Sequence, residues 1–402
     1  MNDLSFDNYR EPARRILVLA NMAIYPADVG NKARIWTLVK QLEAAGHEVW
    51  FGGLGLNEHD AGLMREALGD RFLCVPSRPL WKSESLPVAV VKGVAIRLAG
   101  RGWIVPDIDL WYRNEWDAAV QEWHRRLRFD TVMVEYVFFS RALRNFGPDV
   151  LKLIDTHDVF ADRYKKLRKN GIRRFWFVTD RQQERRGLER ADVIVAIQEH
   201  EANHFRHEVK RKVVTLGHSV RLERLPEAPS QVVGYFGSGN AANVQALESF
   251  LAEVWPLIRE SVPDARLLIG GGVASKIEER PDLELMPIVE DPAAVYARAA
   301  VMVNPMRVGT GLKIKSIEAL GFGRPLVTTT IGAHGLEAGA GHAFLVADDP
   351  PAMAMAIASV LQSPARRVAL AEEAYRFAES WNEDLRGALD SLFTNQQSLA
   401  AV

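Results

Sequence analysis

Between Val303 and Thr330 the chain sets Arg307, Gly309, Thr310, Gly311, Leu312, Lys313 and Lys315 after the apolar run Ala-Ala-Val-Met-Val and ahead of a helix carrying Glu318. Glycines leave backbone amides uncovered and a helix N-terminus adds partial positive charge. With Arg and Lys beside them, the loop suits a phosphate or diphosphate. Glu318, about a turn further on, only accepts hydrogen bonds when ionised, which matches the paired hydroxyls of a ribose. The segment therefore reads as a nucleoside-diphosphate site.

Other patterns compete with it. Gly237-Ser238-Gly239-Asn240-Ala241-Ala242 matches the Gly-x-Gly-x-x-Gly/Ala fingerprint between a strand and a helix, and alone it argues for an NAD-dependent oxidoreductase. Such a site also needs an acid at the end of the next strand, where this chain has Gly270, Gly271 and Gly272. His200-Glu201-Ala202-Asn203-His204 matches His-Glu-x-x-His, the pattern of a zinc hydrolase with Glu201 as base. Short patterns arise by chance, and the reading favoured is a surface helix with several histidines. Asp107-Ile108-Asp109 follows Val105-Pro106 and reads as turn capping, so no metal is expected. Asp155-Thr156-His157-Asp158 closes an apolar run and sets His157 at the carboxyl end of a strand, as a cleft group or as part of a loop-ordering His-Asp pair. Glu135 ends the preceding strand, within reach of an acceptor hydroxyl. The stretch from Trp81 to Trp116, with Lys82, Lys92, Arg97 and Arg101, suits a membrane interface, a grip on a lipid-linked acceptor, or core packing with a basic rim.

Something must hold these residues in place. Apolar runs alternate with amphipathic segments from Arg15 onward, which predicts parallel sheets covered on both faces. After Lys-Val-Val-Thr-Leu-Gly-His-Ser-Val the polar, proline-bearing stretch from Arg221 reads as a linker, and a second alternating set starts at Val232. A chain of 402 residues suits two domains of about 200 residues each. The expected architecture is α/β, two doubly wound domains facing a cleft, with ligands at the carboxyl ends of the strands. A net charge of -1 supplies no general field for nucleic acid. Cys74 is the single cysteine, which suits packing in a reducing compartment. The first apolar run reads as a strand and not as a signal peptide, and the expected location is cytoplasmic.

The order Arg307, Gly309, Gly311, Lys315, Glu318-Ala319, Gly321, Gly323-Arg324-Pro325 and Thr328-Thr329 resembles the donor-binding segment of family-four glycosyltransferases of the GT-B fold. The resemblance implies two Rossmann-like domains. Residues 1–220 form the acceptor side, 221–385 hold the nucleotide sugar, and 386–402 pack back as a helix and tail. It implies transfer of a hexose-like sugar from a nucleotide diphosphate to a glycan, lipid-linked or protein acceptor in polysaccharide biosynthesis. Retention, no cofactor and no metal are implied as well, with peripheral association at the inner face of the membrane as an accompaniment. The glutamate matching Glu318 binds ribose in that family, whereas Thr310 stands where its Glu-x7-Glu pair has the first glutamate. Gly237, Ser238, Gly239 and Asn243 resemble the turn that opens the donor domain, with Ser238 and Asn243 in place of a basic pair. That leaves Arg307, Lys313 and Lys315 to neutralise the diphosphate. Gly30 and Arg34 resemble the family's first glycine-rich turn, against donor phosphate and acceptor, and His157 matches a histidine near the donor sugar. An oxidoreductase and a non-catalytic sugar-nucleotide scaffold are the alternatives.

Overall fold

The structure, a computed structural model, describes residues 13–27, 29–79, 82, 85–169, 171–228, 231–309 and 311–394. Seven strands make the first sheet: β1 (Arg15–Ala20), β2 (Glu48–Leu56), β3 (Phe72–Pro76), β4 (Thr131–Glu135), β5 (Leu151–Asp155), β6 (Val193–Ala196) and β7 (Lys212–Thr215). Six make the second: β8 (Val232–Phe236), β9 (Arg266–Gly270), β10 (Leu283–Met286), β11 (Val301–Asn304), β12 (Leu326–Thr328) and β13 (Leu345–Val346). Their orders are β3-β2-β1-β4-β5-β6-β7 and β10-β9-β8-β11-β12-β13, and the named strands pair in parallel throughout. Both are doubly wound parallel sheets, as the alternation of elements in the sequence predicts.

The apolar runs become strands because both faces are covered. Along β1, Ile16 and Val18 enter one apolar cluster with Met133 and Leu153, while Leu17 and Leu19 enter another with Val132 and Val134. The second sheet repeats this, with Val301 and Val303 on one face and Met302 on the other. Each such side chain withdrawn from water stabilises the fold by about 1.5–3 kcal/mol, before entropy is set against it. Strand β10 lies at an edge, where Leu-Glu-Leu-Met offers only four residues of alternation, too few to stand out in the sequence.

In a doubly wound sheet the two chain crossovers diverge between the first and fourth strands, leaving a crevice at their carboxyl ends. The glycine turn at Gly237 follows β8 and the loop at Arg307 follows β11, so both flank the crevice of the second sheet. Gly30 begins the helix after β1 and Glu135 ends β4, which puts them at the crevice of the first.

The Pro364–Thr394 helix ties the domains together. Its Ala374 and Ala378 pack with second-domain residues such as Leu320, and its Leu385, Leu389, Leu392 and Phe393 pack with first-domain residues such as Ile16 and Leu153. Trp381 donates to the His218 carbonyl at 2.7 Å. Asn382 brackets Val220, accepting from its N–H at 3.0 Å and donating to its carbonyl at 2.8 Å. The return to the first domain expected at 386–402 thus starts earlier, inside one unbroken helix.

Candidate functional site

At the carboxyl edge of the first sheet, Glu135 and Asp155 stand side by side in register and both are fully buried. Two carboxylates this close out of water need cations. Arg34 supplies one through a bidentate bond to Asp155, at 2.8 and 2.7 Å, and it also donates to the carbonyls of Leu216 and Gly217 at 3.0 Å. Burial by itself would raise the Asp155 carboxyl, but the guanidinium overrides it and holds the group below the usual carboxylate range. Glu135, without such a partner, is pushed up by burial and by the Asp155 charge. Its Oε2 lies 2.6 Å from Nε2 of His157. The His157 ring stacks on Tyr136 with centroids 4.1 Å apart. Both residues have left-handed backbones, φ 60° and 70°, although neither is glycine. Such strain is held by its surroundings and clusters at working sites.

Two expectations are corrected here. Arg34 does not face a phosphate, because its guanidinium is consumed by Asp155 and two carbonyls. Glu135 does not present its carboxylate to an acceptor hydroxyl, since it is wholly buried and held against His157. Gly30 does face the cleft: a Cβ there would meet Ile314, at the start of the Ile314–Gly321 helix, at 3.4 Å. Glu135, Asp155 and His157 are also the one group of potential metal ligands found among the described residues. Both Asp155 oxygens are engaged by Arg34, so a cation there would have to displace a guanidinium and then sit beside it. Asp107 accepts from the Asp109 N–H and pairs with Arg186, and Asp109 pairs with Arg190, which is the capping role read from sequence.

Across the cleft, Lys315 donates to Asn243 Oδ1 at 2.6 Å and to the Tyr235 hydroxyl at 3.0 Å. A Cβ on Gly237 would lie 3.3 Å from its Nζ, so the lysine adjoins the glycine turn. Asn243 in turn holds the Ser238 carbonyl at 3.0 Å, and Ser238 Oγ accepts from Asn240 at 3.0 Å. Burial, reinforced by Lys313, brings the Lys315 ammonium down to about 7. Burial lowers Lys313 to about 8, and its Nζ donates to the Gly311 carbonyl at 2.6 Å. Glu318 accepts from the Tyr296 hydroxyl at 3.3 Å and is pushed up to about 7 by burial. The first turn of the Ile314–Gly321 helix has no side-chain cap and no acid, which suits an anion, although the Ser316 N–H already donates to the Lys313 carbonyl at 2.8 Å.

Gly309 and Gly311 have φ of 123° and 74°, values that a side chain would oppose. A Cβ on Gly311 would lie 3.4 Å from the His157 carbonyl and 3.6 Å from Oε1 of Glu201, so this loop is where the two domains meet. Thr310 lies outside the described residues. Leu312 is buried in an apolar cluster with Ile197 and offers a ligand only its backbone. Arg307 does not join the cradle. It pairs with Glu253 at 2.8 Å on the outer surface, which corrects its expected place at the diphosphate.

The helix Glu199–Glu208 is the expected surface helix with several histidines, with His200 and His207 exposed, but its inner face carries a residue the sequence reading did not single out for the cleft. Its Glu201 is buried, accepts from Gln198 at 3.0 Å, and is pushed up to about 8 by burial and by the charge of Asp158. Its Oε2 and the Gln198 Oε1 have no hydrogen-bond partner among the described residues. Gln198 also abuts the second domain, 2.6 Å from the Cβ position of Gly335. The match to His-Glu-x-x-His drew attention to Glu201 for the wrong chemistry, since His200 and His204 are absent from the potential metal group.

The dinucleotide fingerprint also finds its explanation. A Cβ on Gly239 would meet the Gly272 carbonyl at 2.9 Å, and one on Gly271 would meet the Gly237 carbonyl at 2.6 Å. These glycines let two turns pack backbone to backbone, and β9 ends without a ribose-binding acid.

Residues 230–363 match the family described as glycosyl transferases group 1. A curated relative, an uncharacterized 44.6 kDa protein in the cps region of Klebsiella pneumoniae, is 26% identical over 163 residues, 38% of this chain and 42% of that protein. The match thus spans less than half of the relative's length. Among solved structures, sucrose-phosphate synthase of Thermosynechococcus elongatus is similar over 97% of this chain and all of that one, with a TM-score of 0.68 and 17% identity. TarM of S. aureus, in a complex that includes UDP, is similar over 95% and 100%, with a TM-score of 0.67 and 10% identity. HepE of Anabaena, in complex with UDP-glucose, covers 94% and 100% with a TM-score of 0.60 and 13% identity. The cradle built on Gly237, Lys315 and Glu318 falls inside the segment that matches the group 1 glycosyl transferases, and the solved structures share the two-domain GT-B fold of this chain.

Proposed function

We propose that the protein moves a sugar from a UDP-linked donor to a hydroxyl of a glycan or lipid-linked acceptor, with retention at the anomeric carbon and without a metal. The observation that carries this is the contact across the cleft: the Gly311 loop of the donor cradle lies against the backbone of His157 and the carboxylate of Glu201. In this reading the diphosphate lies on the Gly237 turn and the uncapped helix start, with Lys315 beside it, and Glu318 receives the ribose hydroxyls. The bond between the anomeric carbon and the diphosphate breaks, the acceptor oxygen takes its place on the same face and gives its proton to the departing diphosphate oxygen, and UDP leaves as an anion. Lys315 and the helix amides stabilise that developing charge. His157, oriented by Glu135 and by its stack on Tyr136, positions the sugar, and the unpartnered oxygens of Glu201 and Gln198 accept sugar hydroxyls. UDP fits because both TarM and HepE were solved with it.

Loss of Arg307 and Arg34 from the cradle leaves Lys315 and Lys313 as its cations, enough to offset a diphosphate without a divalent ion. The test is UDP release from UDP-glucose, UDP-galactose and UDP-N-acetylglucosamine, with EDTA present. Release above the buffer rate from at least one donor is expected. No release from any of them, or release that stops with EDTA and returns with magnesium, overturns the reading in the corresponding part. The cytoplasmic location and the peripheral seat at the membrane belong to the same proposal; no helix among the described residues is long and apolar enough to cross a bilayer.

A further inference from the structure

The rim of the first domain carries a charge that the transfer reading does not use. From Arg163 to Trp176 the chain runs Arg-Tyr-Lys-Lys-Leu-Arg-Lys-Asn-Gly-Ile-Arg-Arg-Phe-Trp, seven cations and no acid in a protein whose net charge is -1. Three of the seven are engaged. Arg163 holds Asp158 at 2.9 Å, Lys165 holds Asp162 at 2.7 Å, and Arg168 donates to the carbonyls of Arg101 and Gly102 at 2.8 and 2.7 Å. Lys166, Lys169, Arg173 and Arg174 are exposed and meet no acid among the described residues. A solvated face mixes both signs, whereas a run of one sign makes a local field that an anion answers.

Both ends of this run are fastened at the cleft. Arg163 bonds to Asp158, the residue after His157, and both charges act on Lys313 of the opposite domain. Trp176 lies against Tyr136 with centroids 6.1 Å apart, and Tyr136 stacks on His157. Trp176 is 57% exposed. A lone exposed ring is ordinary, but this one is fixed, with Phe138, Phe160 and Phe177 also around it at 5.5, 5.6 and 5.8 Å. The two faces of an indole carry most of its area, so an exposure above half leaves a face open. A pyranose gathers C–H groups on one side of its ring. Those hydrogens carry partial positive charge and the indole face is negative, so the two surfaces match, and a rigid ring loses little entropy in meeting its partner. Trp176 stands one ring away from His157, where the Gly311 loop closes to 3.4 Å between its Cβ position and the His157 carbonyl. A single chain reaches such a place, and a flat bilayer surface does not.

We propose that this rim seats an acidic glycan as the acceptor, with one of its sugar rings stacked on Trp176 and its carboxylates along Lys166, Lys169, Arg173 and Arg174. The role of that glycan as acceptor rests on the transferase reading; the binding does not. The test is calorimetric titration of the full chain with hexagalacturonate and, as its neutral counterpart, maltohexaose. Hexagalacturonate should bind about tenfold more tightly than maltohexaose, and severalfold less tightly when salt rises from about 0.05 to 0.3 M. Trp176→Ala should weaken the acidic oligomer about tenfold at either salt concentration. Arg173→Ser combined with Arg174→Ser should weaken it by a similar factor and flatten the salt dependence. These side chains are exposed, so Tm and UDP affinity should stay at the wild-type values, which separates a lost contact from a folding defect. Equal binding of the two oligomers, no binding of hexagalacturonate, or wild-type binding by both variants would overturn the proposal. Tighter binding to phosphatidylglycerol vesicles or to a single-stranded DNA oligonucleotide than to hexagalacturonate would give the rim to a membrane or a nucleic acid and overturn it as well. A UDP titration of the same samples keeps the readings apart, because failure to bind UDP counts against the transferase and leaves the glycan result standing.

Discussion

The two edges that face each other across the cleft hold buried charge in opposite ways. In the first domain the charges are closed on themselves: Arg34 saturates Asp155, and Glu135 and His157 hold one another at 2.6 Å. In the second domain the charges are half-buried with weak partners. Lys315 has two neutral acceptors, Glu318 has one hydroxyl, and both are displaced towards neutrality, to about 7. The first edge is largely satisfied by its own groups, with Glu135 Oε1 left without a partner among the described residues, and fixes geometry. The second is incomplete, and in the function proposed here phosphate oxygens and ribose hydroxyls would relieve it. A binding site and a positioning site can therefore be told apart by how far their charges are already compensated.

The comparison is broken most forcefully at Arg34. Arg34→Met leaves Asp155 charged and uncompensated in the core, and should destabilise the fold by about 3–5 kcal/mol. Adding Asp155→Asn should recover much of that in urea unfolding, because the pair and not the arginine alone is what the core requires. If Arg34→Met melts like the wild type and instead loses UDP, Arg34 belongs to the donor site after all.

His157→Ala should lower turnover by on the order of a hundredfold, as for one positioned polar group in the transition state, while UDP affinity by calorimetry barely moves. A variant with normal turnover excludes the first edge from the reaction.

Lys315→Met should weaken UDP about tenfold and UMP much less, through loss of a charge on the distal phosphate. Free Lys315 titrates near 7, so at pH 8 it is mostly neutral, and a bound diphosphate should restore its proton. Calorimetry in buffers of different ionisation enthalpy should then show proton uptake in the wild type and none in Lys315→Met. Identical proton counts would mean that Lys315 stays with Asn243 and Tyr235.

The smallest effect is thermal. Glu201 has its carboxyl raised to about 8, so the folded state keeps a proton that the unfolded chain loses from about 4.5 upward. Its contribution is fully present below that range and fades as pH rises through 8. Glu201→Gln should therefore narrow the drop in Tm between pH 5 and pH 8 by a few degrees, with an unchanged drop placing the titration elsewhere.

The alternation of strands and helices, the glycine-bearing loop ahead of the Ile314–Gly321 helix and the glycine turn at Gly237 were legible in the chain because they are local. Strand period, glycine spacing and helix starts depend on residues a few positions apart. The same holds for Asp107 as a cap. What the tertiary structure alone decided is which charges find each other. Arg34 meets Asp155 across 121 residues, so a guanidinium that reads as a phosphate ligand becomes an internal ion pair. Arg307 meets Glu253 and leaves a cradle to which its loop assigned it. Glu201 sits on a polar helix with several histidines, and only the packing of that helix against the second domain carries its carboxylate into the cleft. Backbone conformation is set by nearest neighbours, whereas the fate of a charge depends on distant partners and on burial, which exist only once the chain has folded.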